Sequence, residues 1–497
     1  MTEHPGEPSA PAPSDEGIGP RVGVDEWVAR ADEHDTRYAG LGGFVRRLSD
    51  RVPWYAWLVV GTGAGVVFGL LESSAYLLTV AVVTVVYMTL AVGLNVVVGW
   101  AGLLDLGYIV FWGLGAYGYA WFSSNQFHTH WPAELSVPIV VAGVGLVGLL
   151  VGLTSWRLQG DYLAIVTLFL LEIFGNVTTN ADKINFPYFG HVAFTNGPNG
   201  IADLDRYDVF GIKVGSVRGY LFLSLAGLVL VTLVLIAIDS SRIGRAWRAL
   251  REDPLAAELL SMPVKRLKLL AFVFGAAIAG FSGTIYGAFQ NSVFPTNFLP
   301  ETLILLYAMV ILGGAGSIGG VLLGAFVVNV GLELLRSEHW QGYLFYGLIV
   351  LGLVAAALTK GWRWKAPLVL AGTVGFGYAV HGIVEAVHPV WVKGHAASGG
   401  IIGRFADHWV LAPKDPYYTS RYAFVILILL VVTVPRLPGI WRVLALIPML
   451  YLAACVWENV LAPNPPATRL LLLGALLVVL MNVRPQGLLG TARVEIV

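Results

Sequence analysis

The sequence predicts an all-α polytopic membrane protein, a bundle of about 14 transmembrane helices. Apolar residues occupy 57% of the 497 positions and charged residues only 12%, about half the share usual in soluble domains. Segments of about 20 apolar residues recur along the chain, which is the length of a transmembrane helix. The alternating segments of an outer-membrane barrel do not occur. The mean hydropathy of +0.73 indicates the same class.

The apolar segments can be read directly from the sequence. They are 54–72, 75–99, 103–122, 135–155, 162–179, 218–238, 267–290, 301–315, 318–335, 342–359, 366–386, 421–435, 440–461 and 467–483. Segments 301–315 and 318–335 are short for a bilayer, so we expect half-helices or a re-entrant pair there. Residues 1–50 are rich in Pro, Glu, Asp and Ser and are expected to form a disordered tail, because they have almost nothing to bury.

Basic residues between the segments predict the orientation of the chain. Those at 46–51 precede the first segment and place the N-terminus in the cytoplasm under the positive-inside rule. Alternation of the segments then brings the basic loop 241–268 to the cytoplasmic side as well. The longer loops 180–217 and 389–420, which are of mixed charge, fall on the outer side. Both termini are therefore expected in the cytoplasm.

The loop 241–268 contains a pattern that predicts a short, separate helix. Asp253 before Pro254 is typical of a helix N-cap followed by proline at the first helical position. The residues that follow are small and apolar, and the helix is expected to end near Ser261. Such a helix has nothing of its own to pack against in a loop. We therefore expect it to lie on the membrane surface or to fit into a cleft of a partner protein.

Acidic residues within the apolar segments include Asp105, Glu172, Glu301 and Glu333. A charge is costly there and therefore suggests a function. Glu301 and Glu333 lie close to segment ends, where water can reach them, and are expected to be mostly structural, so Asp105 and Glu172 are the better candidates. Asp105 lies between Gly102 and Gly107, so a break in the helix is expected, with backbone groups lining a cavity. For either acid two interpretations stay open, a direct role in moving a solute or a hydrogen bond between helices.

Motifs for enzymatic chemistry are missing from the sequence. The run GAGSIG at 314–319 matches G-x-G-x-x-G, but it lies between two membrane segments and not in a βαβ unit, so a tight turn is the better interpretation. No G-x-x-x-x-G-K-[ST] occurs, so the chain is not expected to hydrolyse nucleotides itself. No metal or cofactor site is predicted, and the zero net charge gives no reason to expect nucleic-acid binding. Cys455 is the single cysteine, so no internal disulfide is expected.

Six sequence blocks follow one another in a characteristic order. They are GLNVVVGWAGLLDLGY at 93–108, GDYLAIVTL at 160–168, GPNGI at 197–201, the stretch 244–287, LGGAGSIGG at 312–320 and RPQGLL at 484–489. Together they resemble the LivM-type permeases, which are membrane subunits of ABC importers for branched-chain amino acids. The resemblance covers most of 75–355 and the last twenty residues.

This resemblance implies a permease fold with short or broken helices and a cytoplasmic coupling helix, in a complex in the cell inner membrane. The implied partners are a second, LivH-like permease subunit, two cytoplasmic ATPase subunits and a periplasmic amino-acid-binding protein. The residues expected to contact the ATPase are Arg251, Glu252, Asp253, Pro254, Ala256, Ala257, Glu258 and Ser261. The residues expected along the translocation path are Asn95, Asp105, Tyr108, Thr167 and Glu172. The outer loop is expected to present Gly197, Pro198, Asn199 and Gly200.

The sequence departs from the family pattern at two places. Ser261 stands where the family usually has glycine, just after the short helix. Residues 360–466 look like an extra transmembrane insertion, placed between a permease core at 54–359 and a last helix with its tail at 467–497. The role of this insertion does not follow from the sequence.

Two other functions stay open at this point. A permease of the same family could carry urea or short amides, because specificity would reside largely in the binding protein. An ion-coupled secondary transporter could work alone, with Asp105 or Glu172 carrying protons. The second alternative leaves the capped helix in the basic loop unexplained, since the positive-inside rule requires no Asp-Pro cap.

Overall fold

The computed structural model of the protein describes most of the chain from residue 54 onward. The described residues are 54–154, 161–182, 194–209, 211–336, 338–358, 362–413, 417–464, 468–472, 474–475, 477–478 and 487–489. The predicted tail 1–50 and most of the predicted last membrane segment 467–483 lie outside them. The chain divides into two units, Met1–Ala64 and Gly65–Val497, and the packing described below is that of the second unit.

Helices make up nearly all of the described structure. They are α1 (Trp54–Leu71), α2 (Ala75–Leu94), α3 (Tyr108–Phe122), α4 (Ala133–Thr154), α5 (Asp161–Asn180), α6 (Val217–Ser240), α7 (Arg242–Glu252), α8 (Pro254–Leu259), α9 (Val264–Gln290), α10 (Pro300–Gly313), α11 (Ile318–Leu334), α12 (Glu338–Leu358), α13 (Lys365–Val387), α14 (Gly400–Asp407), α15 (Tyr417–Thr433) and α16 (Gly439–Val456). Two π-helical segments, Asn95–Trp100 and Trp457–Leu461, continue α2 and α16.

In the described part of the chain, six two-residue strands pair outside the helices. They are β1 (Ser123–Ser124), β2 (Thr129–His130), β3 (Ile201–Ala202), β4 (Asp208–Val209), β5 (Ile212–Lys213) and β6 (Ser292–Val293). The antiparallel pairs are β1 with β2, β3 with β6, and β4 with β5. The β3–β6 pair joins the loop after α5 to the end of α9, so this loop is fixed to the helix bundle.

The prediction of an all-α polytopic membrane protein is confirmed, whereas the number of about 14 spans stays a prediction. In the described part of the chain, seven helices are long and apolar enough to cross a membrane, and they are Ala75–Trp100, Ala133–Thr154, Tyr162–Asn180, Val217–Ser240, Val264–Gln290, Lys365–Val387 and Gly439–Leu461. Shorter apolar helices are Leu58–Leu71, Pro300–Gly313, Ile318–Leu334, Gly342–Leu358 and Tyr422–Arg436. The predicted segment 103–122 contains a helix only from Tyr108 onward.

Serine side chains begin several of these helices. Ser216 accepts a hydrogen bond from the Gly219 amide at 3.1 Å at the start of α6. Ser317 accepts one from the Gly320 amide at 3.1 Å at the start of α11. A hydroxyl in this position satisfies one of the first amides of a helix, which have no partner within the helix itself.

Helix α9 packs closely against α3 and α4, and small residues make this possible. A methyl group added to Gly115 would collide with the Gly280 carbonyl, and one added to Gly283 would collide with the Trp112 carbonyl. Without side chains at these positions, the backbones approach closely and gain van der Waals contact, which is the main force between helices in lipid. The glycines therefore favour packing of α3 on α9.

Helices α10 and α11 form a tight hairpin around the short connection 314–317. A methyl group at Gly324 would collide with the Met309 carbonyl, and one at Gly313 with the Gly320 carbonyl. Gly314 and Gly316 in the connection have φ of +108° and +99°, values that L side chains rarely adopt. The expected pair of short helices is therefore present, with 14 and 17 residues.

A second apolar cluster lies within the predicted insertion 360–466, with Phe345 and Tyr346 of α12 packed against it. Buried residues from α14, from the segment that follows it and from α16 form a separate cluster, and they are Ala406, Trp409, Val410, Tyr451, Ala454 and Cys455. Glu458 is buried beside this cluster and accepts hydrogen bonds from the Ser398 amide and hydroxyl at 2.8 Å and from the Tyr346 hydroxyl at 3.0 Å. A buried carboxylate is tolerated only with such partners, so it ties α12 and the segment between α13 and α14 to the end of α16.

Candidate coupling surface and translocation path

The loop between α6 and α9 folds into two consecutive helices, α7 and α8. Asp253 ends α7 and caps α8, since its Oδ1 accepts hydrogen bonds from the Leu255 amide at 2.8 Å and the Ala256 amide at 3.1 Å. Pro254 follows at the first helical position, where no amide donor is needed. The predicted cap and start of the short helix are confirmed.

The C-terminal end of α8 closes by a Schellman motif. The Met262 amide donates to the Ala257 carbonyl at 3.1 Å, and the Ser261 amide donates to the Glu258 carbonyl at 2.9 Å. Ser261 has φ of +61°, the left-handed conformation for which glycine is the usual residue. The serine that departs from the family pattern thus holds the backbone conformation that favours glycine.

Most of α8 is exposed, and its exposed face is rich in leucine. Leu255, Leu259 and Leu260 are 69%, 86% and 72% exposed. Ala257, in contrast, is 2% exposed. Two exposed leucines on this six-residue helix and a third at its C-cap form an apolar surface that a structure avoids unless something covers it. Below, the coupling surface means these three leucines.

Six of the eight residues expected to contact an ATPase face outward, and two do not. Glu252, Asp253, Pro254, Ala256, Glu258 and Ser261 are exposed. Ala257 is buried in the packing of this chain, and the Arg251 guanidinium points inward, so neither side chain is available to a partner in this conformation. The leucines were missing from the sequence-based selection. The signal that could have found them is apolar residues on a helix too short to bury them.

Helix α7 is anchored by a buried tryptophan. The Trp247 ring is fully buried, and its Nε1 donates to the Leu267 carbonyl of α9 at 2.8 Å. The ring also stacks on Trp100, with ring centroids 6.1 Å apart and an angle of 28° between the planes. An indole N–H in an apolar site needs such an acceptor. The tryptophan therefore holds α7 to α9 and to the end of the π-helical segment Asn95–Trp100.

Arg251, in the last turn of α7, points away from the surface. Its Nη1 donates to the Gly99 carbonyl at 2.5 Å and to the Ala315 carbonyl at 3.5 Å. These carbonyls belong to the end of the π-helical segment and to the α10–α11 connection. Both bonds come from one terminal nitrogen of the guanidinium, which carries two N–H donors, so a single side chain contacts backbone acceptors of two segments.

The same two segments also bond each other directly. The Asn95 Oδ1 accepts a hydrogen bond from the Gly316 amide at 2.7 Å, and the Trp100 Nε1 donates to the Gly316 carbonyl at 3.0 Å. The Asn95 Nδ2 is buried and has no hydrogen-bond partner within the described part of the chain. The end of α2 and the α10–α11 connection are thus fixed to one another at the level of α7.

Asp105 lies in the irregular segment 101–107, where the expected helix break is present. The side chain is fully buried, and its Oδ1 accepts a hydrogen bond from the Gly107 amide at 2.9 Å. The Tyr307 hydroxyl donates to the Asp105 carbonyl at 2.7 Å, and the Thr167 hydroxyl accepts from the Leu106 amide at 2.9 Å. Side chains from α10 and α5 therefore supply the hydrogen bonds that the broken backbone lacks.

Four of the five residues predicted along the path lie around this break. Asn95 begins the π-helical segment, Thr167 bonds the irregular segment, and Tyr108 begins α3. The Tyr108 hydroxyl donates to the Gly275 carbonyl of α9 at 3.1 Å. Both interpretations left open for Asp105 fit this geometry, because it bonds the backbone through one oxygen while Oδ2 has no hydrogen-bond partner among the described residues.

Glu172 lies apart from the break, on the exposed face of α5. Phe169 and Ile173 beside it are also exposed, as is Asn176 one turn further on. The opposite face of α5, which includes Thr167, is buried against the bundle. A carboxylate on a membrane helix is costly against lipid, so this face needs a polar neighbour or water.

The outer loop contains the compact turn expected at 197–200. Gly197 and Gly200 have φ of +57° and +63°, and the Asn196 side chain donates to the Gly200 carbonyl at 2.8 Å. The Thr195 hydroxyl donates to the Thr178 carbonyl at 2.8 Å, which fixes the turn to α5. Gly197 and Gly200 are buried, whereas Pro198 and Asn199 are exposed.

The tyrosine that follows this turn links the outer loop to α9. The Tyr207 hydroxyl lies 2.8 Å from the Thr284 hydroxyl. Burial of the phenol raises the pKa of Tyr207, and the hydrogen bond to Thr284 opposes this only in part. The phenol is therefore neutral at physiological pH and serves as a hydrogen-bonding anchor between the loop and the bundle.

The C-terminal residues that the structure describes lie against the α10–α11 hairpin. The Leu488 amide donates to the Leu312 carbonyl at 2.8 Å, and the Leu489 amide donates to the Gly313 carbonyl at 3.1 Å. The first three residues of the RPQGLL block, 484–486, lie outside the described residues. Among the described residues, no three His, Cys, Asp or Glu side chains converge as metal ligands would.

Known proteins with related sequences agree with this organisation. A family model described as "Branched-chain amino acid transport system / permease component" matches residues 76–381. The chain is 36% identical over 299 residues to the high-affinity branched-chain amino acid transport system permease protein LivM of Escherichia coli (strain K12), a match that covers 55% of this chain and 67% of that relative. The LivM protein of Salmonella typhimurium is similar to the same extent. A probable LivH permease of Methanocaldococcus jannaschii is 27% identical over 230 residues, which is 44% of this chain and 68% of that protein. No solved structure matches the chain significantly.

Proposed function

This chain belongs to the family of branched-chain amino acid transport permease components, and we propose that it is the membrane-spanning permease subunit of an ABC importer that carries branched-chain amino acids across the inner membrane. The observation that carries the proposal is helix α8, which is capped at both ends and, with its C-cap residue Leu260, exposes three leucines. The chain has no phosphate-binding loop of its own, so ATP hydrolysis is assigned to partner subunits.

Two cytoplasmic ATPase subunits are the proposed source of the driving force, and the coupling surface is the proposed contact with one of them. An exposed apolar surface of this kind gains free energy when a groove covers it, because leucine is removed from water. The caps at Asp253 and Ser261 stabilise α8, so that it stays helical when the ATPase subunits change conformation. A rigid helix of this form suits the transmission of movement better than a flexible loop.

A second, LivH-like permease subunit is the proposed neighbour of α5. Its exposed face combines apolar residues such as Phe169 and Ile173 with the polar Glu172 and Asn176. Lipid would leave the carboxylate without hydrogen-bond partners, whereas a protein interface or a water-filled path can supply them. This face is therefore the preferred candidate for the subunit interface.

The helix break around Asp105 is the proposed part of the translocation path in this chain. The break frees backbone groups, and the Asp105 Oδ2 and Asn95 Nδ2 retain unused hydrogen-bonding capacity among the described residues. A zwitterionic amino acid presents an ammonium and a carboxylate that such groups can bind. Aliphatic specificity is assigned to a periplasmic amino-acid-binding protein that would dock near the outer turn 197–200.

Both termini are proposed to be cytoplasmic. The described C-terminal residues, Leu488 and Leu489, lie at the end of α10 that adjoins the Arg251 site. This end carries the coupling surface, so the C-terminus and the coupling surface belong on the same side of the membrane.

Transport by the complete complex tests the proposal. The chain and its proposed partners are reconstituted in proteoliposomes, and ATP-driven uptake is measured with labelled leucine, isoleucine and valine. Urea and acetamide serve as competing substrates, so a preference for them would favour the other permease of the same family. The chain alone is expected to show no uptake. Uptake by the chain alone under a pH gradient would instead favour the ion-coupled transporter and contradict the proposal.

A further inference from the structure

We propose that Arg251 transmits the position of the coupling helix α8 to the helix break of α2 and to the α10–α11 connection. This inference rests on the proposed function, because it concerns how movement of α8 would reach the path. Arg251 is a positioning residue in this proposal and has no contact with the transported solute.

The first step is the position of Arg251 in the loop. It lies two residues before Asp253, which ends α7 and caps α8. The Asp253 amide donates to the Ala249 carbonyl at 3.3 Å, so the last turn of α7 and the start of α8 share one continuous set of hydrogen bonds. A displacement of α8 is therefore expected to move the Arg251 backbone with it.

The second step is what the guanidinium holds. Its Nη1 donates to the Gly99 carbonyl at 2.5 Å and to the Ala315 carbonyl at 3.5 Å. Gly99 lies three residues before Gly102, where the chain turns into the irregular segment, and Ala315 lies in the four-residue turn of the hairpin. Among the described residues, Arg251 hydrogen-bonds both segments. Charge-assisted bonds of this kind are stronger than bonds between neutral groups.

The third step is the space that admits the side chain. A methyl group at Gly102 would lie 3.1 Å from the Arg251 Cγ, and one at Gly316 would lie 2.6 Å from its Nη1. Both glycines have positive φ, +67° and +99°. The arginine therefore passes between two backbones that approach it closely because neither carries a side chain at this point.

The fourth step is that the fold of this region does not depend on Arg251 alone. The bonds from Asn95 and Trp100 to Gly316 hold the two segments together without any residue of α7. If Arg251 is removed, these bonds and the Trp247 anchor of α7 remain. The expected consequence is a folded subunit whose α8 still binds its partner but moves the break less effectively.

The test uses the complete transporter in proteoliposomes, with ATP hydrolysis and leucine uptake measured on the same preparation. The variants are Arg251→Ala and Arg251→Lys, and the control is Arg248→Ala. Arg248 lies on the same helix, is half exposed and pairs with Asp239 at the end of α6. Arg251→Ala is expected to lower the leucine transported per ATP by at least about tenfold, with basal ATP hydrolysis retained. Arg251→Lys should give an intermediate ratio, because an ammonium keeps the positive charge but not the planar geometry of the guanidinium.

A labelling experiment distinguishes transmission from a purely structural role of Arg251. Leu104, an exposed residue of the irregular segment, is replaced by cysteine in a Cys455→Ala background, which removes the only native cysteine. The rate of maleimide labelling at position 104 is expected to change on addition of ATP when Arg251 is present. In the Arg251→Ala variant that change should disappear while ATP hydrolysis continues.

The outcomes separate this inference from the proposed function. If the unmodified complex hydrolyses ATP but imports no leucine, the proposed function is wrong. If it imports leucine and Arg251→Ala keeps the same uptake per ATP, the role of Arg251 is wrong and the proposed function stands. Should Arg251→Ala fail to assemble, Arg251→Lys decides, and an unchanged ratio in that variant overturns the inference.

Discussion

Replacing Leu259 by glutamate tests the coupling surface without disturbing the fold. Leu259 is 86% exposed, so the substitution is expected to change the free energy of unfolding by less than about 0.5 kcal/mol. Burying a leucine in a partner's groove contributes about 1.5–3 kcal/mol. Loss of that contribution corresponds to a dissociation constant raised about 10-fold to 100-fold, and the desolvation of a carboxylate adds to it. Because less ATPase is then bound, leucine uptake should fall in the same proportion.

Glutamate at Ala257 would give a different result, although the residue is only two positions away. Ala257 is 2% exposed, so the carboxylate would enter the packing of this chain. We expect the free energy of unfolding to fall by about 2–4 kcal/mol. Loss of uptake in this variant would then report misfolding and not a lost contact.

Three measurements compare these variants. Thermal unfolding of the detergent-solubilised chain reports the fold, co-purification reports the bound ATPase, and proteoliposomes report uptake. Leu259→Met serves as the matched control, because it keeps an apolar side chain of similar volume. If Leu259→Glu co-purifies with the ATPase and imports leucine as well as Leu259→Met does, the leucines of α8 do not form the coupling surface.

Three further predictions concern single sites. Ser261→Gly should leave uptake intact and raise the free energy of unfolding by up to about 1 kcal/mol, because φ of +61° suits glycine. A lower melting temperature in this variant would contradict the left-handed conformation of Ser261. Gly324→Ala should lower the free energy of unfolding by about 1–3 kcal/mol, since the added methyl group collides with the Met309 carbonyl. An unchanged melting temperature in this variant would show that the hairpin is packed less tightly than described. Asp105→Asn keeps an acceptor for the Gly107 amide, so the fold should persist while leucine uptake falls by at least about tenfold; unchanged uptake would leave Asp105 with a purely structural role.

Local signals in the sequence predicted several features correctly. The Asp253–Pro254 pair gave the start of α8, and Gly102 with Gly107 gave the helix break, because caps and breaks depend on a few neighbouring residues. The two short segments became the α10–α11 hairpin for the same reason. Their lengths and the glycines in their connection are visible without any tertiary information.

Contacts between distant segments could not be predicted in this way. Nothing in the basic loop indicates that Arg251 points inward to Gly99 and Ala315 while its neighbours face outward. The burial of Ala257 and the exposed position of Glu172 likewise depend on which face of a helix meets the bundle. Such faces are hard to assign in membrane helices, because apolar residues occur on all sides.

The hydrogen bonds of Leu488 and Leu489 to α10 have a consequence for biosynthesis. The hairpin is translated more than 150 residues before Leu488 and Leu489, which bond to it. Helices α12 to α16 are translated during this interval, and until the tail is made the Leu312 and Gly313 carbonyls lack these two hydrogen bonds. A truncation that removes residues 360–497 would therefore also remove both hydrogen bonds at the end of α10.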